Sequence, residues 1–205
     1  MTMVKICGIT DVTHAIQAVE TGADAVGFVF AESKRKISVA EAASIAHVLP
    51  TSVKKIGVFV NMPKQELENT AQIVGLDYVQ LHGDETLKFC KSLTVPYIKA
   101  MRVKSEEDLS LASIYEDAAY ILLDSASGPY RGGNGTRFNW DLLKNHYIDR
   151  SRLILAGGLT IHNVKEAIST VKPAMVDVSS GVETNGIKDG EKIKQFIKQV
   201  KEKVS

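Results

Sequence analysis

Short apolar runs recur along the chain, separated by stretches in which apolar residues return every three or four positions. The runs fall at 3–7, 24–30, 54–60, 77–82, 96–102, 119–124, 152–156 and 174–178, each the length of a strand. The stretches between them predict helices over Asp11–Thr21, Val39–Leu49, Pro63–Val74, Asp84–Ser92, Glu106–Tyr115, Trp140–Asn145 and Ile161–Thr170, with a last one over Glu191–Glu202. Thr10-Asp11, Ser38 and Ser105 stand where N-caps belong. Pro63 suits a first helical position, and Gly22 and Gly75 suit the residue after a helix. Gly22-Ala-Asp-Ala-Val and Gly75-Leu-Asp-Tyr-Val form a weak internal repeat, as a chain of repeated strand–helix units shows.

Regular alternation of strand and helix implies a parallel sheet with right-handed crossovers. Eight units without a nucleotide-binding fingerprint favour closure over an open, doubly wound sheet. The expected fold is α/β, a (β/α)8 TIM barrel forming one catalytic domain over 1–205, although such barrels more often run to ~250 residues. The glycine-rich stretch 126–137, after the sixth strand, reads as a lid.

Composition narrows the partners. Apolar residues make up 44% and charged ones 24%, and the formal net charge is +1 with no basic block, so neither nucleic acid nor an anionic membrane is an expected partner. No apolar run approaches the ~20 residues of a membrane span. Met1-Thr-Met-Val-Lys-Ile-Cys7 leads into a strand instead of a signal peptide. With two cysteines and no CxxC, a reducing cytoplasmic setting is expected.

The last two runs end in small residues: Leu153-Ile-Leu-Ala-Gly-Gly158 and Met175-Val-Asp-Val-Ser-Ser-Gly181. Glycine and serine there leave backbone N–H groups uncovered, so a phosphate can approach closely. Amides that also open a helix favour the dianion further. The seventh and eighth units are where a barrel of this class grips phosphate. A phosphorylated substrate is the first expectation.

The rest of the site should gather at the C-terminal strand ends. Polar residues there are Cys7, Asn61, Gln80, His82, Arg102, Asp124, Asp177 and Ser179. Period-two alternation turns Lys5 with Cys7, Gln80 with His82, and Asp177 with Ser179 to one face each. A thiol can act as a base near neutrality, and a carboxyl in a partly dry mouth can act as an acid. Cys7 and Asp124 therefore form an acid–base pair able to move a proton within a substrate. Each also has a plain structural reading, Cys7 as a small core residue and Asp124 as a loop cap. His82 reads either as an acid–base group or as a hydrogen-bonding residue of the mouth. Arg35, in the loop Ala31-Glu-Ser-Lys-Arg-Lys36, can clamp an anion or simply be solvated. An inward Lys5 needs a partner, and Asp177 is the natural one. No cluster has metal spacing and no G-x-G-x-x-G opens a helix, so no metal and no cofactor is expected.

These strand ends also share one likeness. Val4-Lys-Ile-Cys-Gly-Ile-Thr10, Ser33-Lys-Arg-Lys-Ile-Ser38, Val79-Gln-Leu-His-Gly83, Leu122-Leu-Asp-Ser125, Leu155-Ala-Gly-Gly-Leu159 and Val176-Asp-Val-Ser-Ser-Gly-Val-Glu183 resemble, in order, the N-(5′-phosphoribosyl)anthranilate isomerase family of tryptophan biosynthesis. The resemblance implies a cofactor-free Amadori rearrangement of N-(5′-phosphoribosyl)anthranilate to 1-(2-carboxyphenylamino)-1-deoxyribulose 5-phosphate. It makes Asp124 the general acid on the furanose ring oxygen and Cys7 the general base at C2′. It gives Arg35 the anthranilate carboxylate, and Gly157, Gly158, Ser179, Ser180 and Gly181 the phosphate. His82 and Asp177 match inward positions near the substrate.

One departure is Gly132-Gly-Asn-Gly135, where the family usually reads Gly-Gly-Thr-Gly or Gly-Gly-Ser-Gly. Asn134 puts in doubt any hydroxyl contact made there. Two alternatives remain open. A catalytically silent phosphosugar-binding barrel would be signalled by loss of Cys7 or Asp124, and both are present. A related isomerase of the histidine-pathway aminoaldose typically carries aspartate in place of Cys7. The expected partner is the small-molecule substrate, with the chain a monomer or a homodimer.

Overall fold

The computed structural model describes residues 1–125, 140–143 and 148–202. Eight parallel strands follow one another in chain order: β1 (Met3–Cys7), β2 (Ala25–Val29), β3 (Lys54–Phe59), β4 (Tyr78–Leu81), β5 (Tyr97–Val103), β6 (Tyr120–Ser125), β7 (Leu153–Leu155) and β8 (Met175–Val178). β8 pairs back onto β1, with Lys5 directly opposite Asp177, and the sheet closes. The (β/α)8 closure expected from the alternation is what the chain forms. Around it lie α1 (Val12–Thr21), α2 (Val39–Val48), α3 (Lys64–Val74), α4 (Leu87–Ser92), α5 (Glu106–Ser110), α6 (Val164–Val171) and α7 (Gly190–Lys201).

Local chemistry sets most boundaries where the sequence places them. The Asp11 carboxylate accepts from the His14 amide to open α1, and Ser38 with Glu41 makes a reciprocal capping box at α2. Gly22 and Gly75 end α1 and α3 in the left-handed conformation. α7 buries Ile193, Phe196, Ile197 and Val200, a stripe at helical spacing turned to the barrel.

Some elements differ from expectation. Pro63 stays extended, with ψ 140°, so α3 starts one residue later. α5 stops at Ser110 and continues as a 3-10 turn over Leu111–Ile114. α4 starts at Leu87 because the buried Lys99 claims the Glu85 carboxylate, at 2.7 Å. Trp140–Leu143 forms a 3-10 turn, while the rest of the predicted helix and the predicted lid lie outside the described residues. A small hairpin, β9 (Glu183–Thr184) with β10 (Ile187–Lys188), had no expectation.

Strand parity builds the interior in tiers. Met3, Tyr78, Tyr120 and Met175 pack into the lower cluster, where Tyr78 and Tyr120 meet edge to face. Two residues further along the same strands come Lys5, Gln80, Leu122 and Asp177. Two further still come Cys7, His82, Asp124 and Ser179, at the C-terminal mouth. An apolar floor thus supports a middle layer with three polar residues beside Leu122, and a reactive rim above.

Candidate active site

A cavity of about 480 Å³ opens at this rim. Cys7, Arg35, His82, Asp124, Gly157, Gly158, Asp177, Ser179 and Ser180 line it. Gly181 does not, and its contribution is spacing. A Cβ there would lie 1.9 Å from the Leu159 carbonyl oxygen, so glycine lets the loops after β7 and β8 approach each other. Gly157 and Gly158 hold successive positive φ angles of 83° and 65°, which side chains rarely adopt. Asn163 binds the Gly158 carbonyl through its Nδ2 and committing that oxygen to the scaffold fixes the turn.

Cys7 ends β1 beside a charged pair. Lys5 is wholly buried, and its Nζ donates to Asp177 Oδ2 at 2.9 Å and to Gln80 Oε1 at 2.8 Å. The partner expected for an inward lysine is therefore the one it has. Burial by itself would lower the Lys5 pKa, but the neighbouring Asp177 and Cys7 outweigh that, and the amine ends above its ordinary value. Burial pushes the Cys7 thiol up; the Lys5 ammonium pulls the other way without cancelling it. Asp177 keeps its second oxygen, Oδ1, buried with no hydrogen-bond partner among the described residues.

Asp124 lies on β6 and is almost fully buried. The His82 Nε2 stands 3.4 Å from its Oδ2 without a hydrogen bond between them, and that nitrogen has no partner among the described residues. The other ring nitrogen, Nδ1, lies 3.3 Å from the Gln80 amide nitrogen. Arg102 pairs with Asp124 in the β5–β6 register and lines a second cavity that shares His82 with the first. Asn61 serves the scaffold instead: its Oδ1 accepts from the Asp84 amide and its own N–H donates to Glu85.

Arg35 reaches the cavity from the loop after β2, but it is not a solvated cation. Its Nε and Nη2 donate to the two oxygens of Glu183 at 2.6 and 2.8 Å. A guanidinium has five N–H groups, and among the described residues no hydrogen bond takes up the edge formed by Nη1 and the second Nη2 hydrogen. Glu183 also accepts from the buried Lys188 at 2.5 Å, and Lys188 donates to the Ser179 carbonyl at 2.9 Å. Burial would raise Glu183, yet Arg35 and Lys188 hold it below the ordinary carboxylate range. The Ser179 hydroxyl donates to the Cys7 carbonyl at 3.0 Å, tying β8 to the end of β1. Glu183 and Lys188 were not singled out from sequence. Their two-residue strands are too short to show a period, and only a glutamate inside the last matching motif hinted at them.

The cavity wall also has an apolar side, with Val29, Phe30, Val58 and Val60 from the ends of β2 and β3. Among the described residues, no three His, Cys, Asp or Glu side chains are placed to hold a metal ion.

Comparison with known proteins gives this geometry a family. The family description N-(5′-phosphoribosyl)anthranilate isomerase matches residues 4–199. The chain belongs to the N-(5′-phosphoribosyl)anthranilate isomerase family. It is thus an isomerase of the aldose–ketose type, serving tryptophan biosynthesis. It is 54% identical to the N-(5′-phosphoribosyl)anthranilate isomerase of Bacillus cereus over 199 residues, covering 97% of this chain and 98% of that one. Among solved structures it is similar to phosphoribosyl anthranilate isomerase from Thermotoga maritima, with a TM-score of 0.89, 45% identity, and coverage of 98% and 99%. Another phosphoribosyl anthranilate isomerase, solved with reduced 1-(o-carboxyphenylamino)-1-deoxyribulose 5-phosphate, gives a TM-score of 0.87 at 43% identity over 98% and 99%. Among the described residues, no helix of this isomerase family member is long and apolar enough to cross a membrane.

Proposed function

We propose that this chain rearranges N-(5′-phosphoribosyl)anthranilate to 1-(2-carboxyphenylamino)-1-deoxyribulose 5-phosphate, with Asp124 as general acid and Cys7 as general base. The observation that carries the reading is one cavity holding a buried carboxyl and a buried thiol, three strands apart around the rim, beside the glycine turns after β7. Those turns and the Ser180 segment take the phosphate. The free edge of Arg35 takes the anthranilate carboxylate, and the apolar wall at Phe30 and Val58 takes its ring. The orphan Asp177 Oδ1 is an acceptor for a sugar hydroxyl.

Asp124 gives its proton to the furanose ring oxygen. The C1′–O bond breaks toward that oxygen, and the nitrogen lone pair forms the C1′=N iminium bond. The Cys7 thiolate then removes the proton from C2′. The C–H electron pair becomes a C1′=C2′ double bond, and the iminium pair returns to nitrogen. The resulting enolamine loses its enol proton and gains one at C1′, leaving the ketone. No oxidant is required, since C1′ is reduced as C2′ is oxidised.

The raised thiol pKa has a direct cost. The reaction needs thiolate and a protonated Asp124 in the same free enzyme, and burial shrinks the thiolate share. Lys5 limits this cost by favouring the thiolate. The test is the fluorescence decay of substrate generated in situ. Asp124→Asn should bind substrate but turn over ~10²–10⁴-fold more slowly. Cys7→Ser should be similarly slow. Near-normal turnover in either variant removes that residue from its role.

A further inference from the structure

We infer that Lys5 and Gln80 act as a tautomer lock on His82, presenting its Nε2–H to Asp124. The inference deepens the proposed function, because it rests on Asp124 being the acid. Its starting point is donor and acceptor capacity. A lysine ammonium can only donate, and Lys5 lies 2.8 Å from one atom of the Gln80 amide. That atom must be the carbonyl oxygen. The amide nitrogen therefore faces His82, and it too can only donate. At 3.3 Å its partner is Nδ1, which must offer a lone pair. The imidazole hydrogen is left on Nε2, 3.4 Å from Asp124 Oδ2.

Burial makes the choice strict. Lys5, Gln80, His82 and Asp124 are each nearly inaccessible to solvent, so two donors or two acceptors facing each other at the Gln80–His82 contact would be costly. Asp177, opposite Lys5, anchors the chain at its other end and keeps the ammonium in place. In the opposite tautomer, the Gln80 N–H would meet an N–H, and a ring lone pair would face the carboxylate.

The placement matters when charge develops. As Asp124 releases its proton to the ring oxygen, its carboxylate becomes an anion in a buried site. An Nε2–H on that side, with no other partner among the described residues, can then close on Oδ2 and stabilise that anion. Lys5 and Gln80 are accordingly positioning residues: they act on the reaction through His82. The same arrangement ties the polar layer beside Cys7 to the acid on the far side of the cavity.

Nitrogen-15 NMR of ring-labelled histidine reads the lock directly, with the His82 signal assigned by its loss in His82→Gln. Wild type is expected to show a bare Nδ1 and a protonated Nε2. Gln80→Glu keeps the shape but presents only acceptors, so Nδ1 should become protonated. Its kcat should fall roughly 10- to 100-fold, with KM within about threefold, as loss of an electrostatic contact to the developing charge predicts. Gln80→Met, which can neither donate nor accept at Nδ1, should lose the single tautomer with a smaller loss of kcat. It decides the matter if Gln80→Glu does not fold. A wild-type His82 protonated on Nδ1, or unchanged kcat in both variants, overturns the proposal.

Asp124→Asn separates this failure from failure of the acid assignment. Full turnover in Asp124→Asn removes the acid role whatever the tautomer. A slow Asp124→Asn beside fully active Gln80 variants removes only the lock. Adding Gln80→Glu to Asp124→Asn should cost little more, because the group the lock serves is already gone.

Discussion

A hydrogen atom in place of a methyl group decides where the thiol sits. Gly27 faces Cys7 across the β1–β2 pairing, and a Cβ there would lie 2.8 Å from Sγ and 3.1 Å from the Cys7 Cα. One neighbour is backbone, so it cannot rotate aside. Gly27→Ala should therefore displace the thiol, lowering kcat by up to ~10²-fold while leaving KM within a few-fold, as misplacement of a reacting group by an ångström does. Steady-state kinetics with a thermal melt checks this, and unchanged kcat in a folded variant would show that the thiol has room to spare. At this scale the sequence was informative wherever alternation governed orientation. Lys5, Cys7, Gln80, His82 and Asp177 all point inward because their strands have period two. Arg35 was less legible. Its loop reads as a solvated basic turn, and its partner Glu183 is 148 residues away, in a hairpin with no readable period.

Element boundaries moved where a tertiary contact claimed a residue that local pattern had given to a helix. α4 is the clearest instance. Glu85 looks like a good first-turn acid, but its carboxylate accepts from the Gly83 and Asn61 amides and pairs with the buried Lys99. The helix consequently begins after Thr86, whose hydroxyl caps it. Glu85 thus ties the segments after β3 and β4 to Lys99 within β5. Lys99→Met should leave that carboxylate buried without its cation, at a cost of about 3–5 kcal/mol. Urea unfolding would measure the loss. Faster hydrogen exchange at Asn61 and Gly83 would localise it to these loops. A change under 1 kcal/mol with unaltered exchange would mean that the backbone amides alone hold Glu85. The N-cap at Ser38 needs no such long-range partner, and sequence located it directly.

Closure belongs to no single element. Eight strand–helix units announce a parallel sheet, but an open sheet and a barrel share that local pattern. The difference lies in the pairing of β1 with β8, between residues more than 170 positions apart. The unit count favoured closure, and one chemical sign pointed to this seam: an inward Lys5 that required an anion. In the folded chain the ion pair spans that seam, buried on both sides. A buried pair of this kind gains little over apolar packing, but half of one is costly. Lys5→Met should thus cost about 3–5 kcal/mol, a large part of the 5–15 kcal/mol that holds an ordinary domain folded. Asp177→Leu added to Lys5→Met should restore much of it, since the stranded charge is removed and the apolar floor at Met3 and Met175 extends upward. Denaturant unfolding of the single and double variants measures both steps. If the double variant is no more stable than Lys5→Met, the seam depends on the polar layer itself, Gln80 included, and not only on matching its charges.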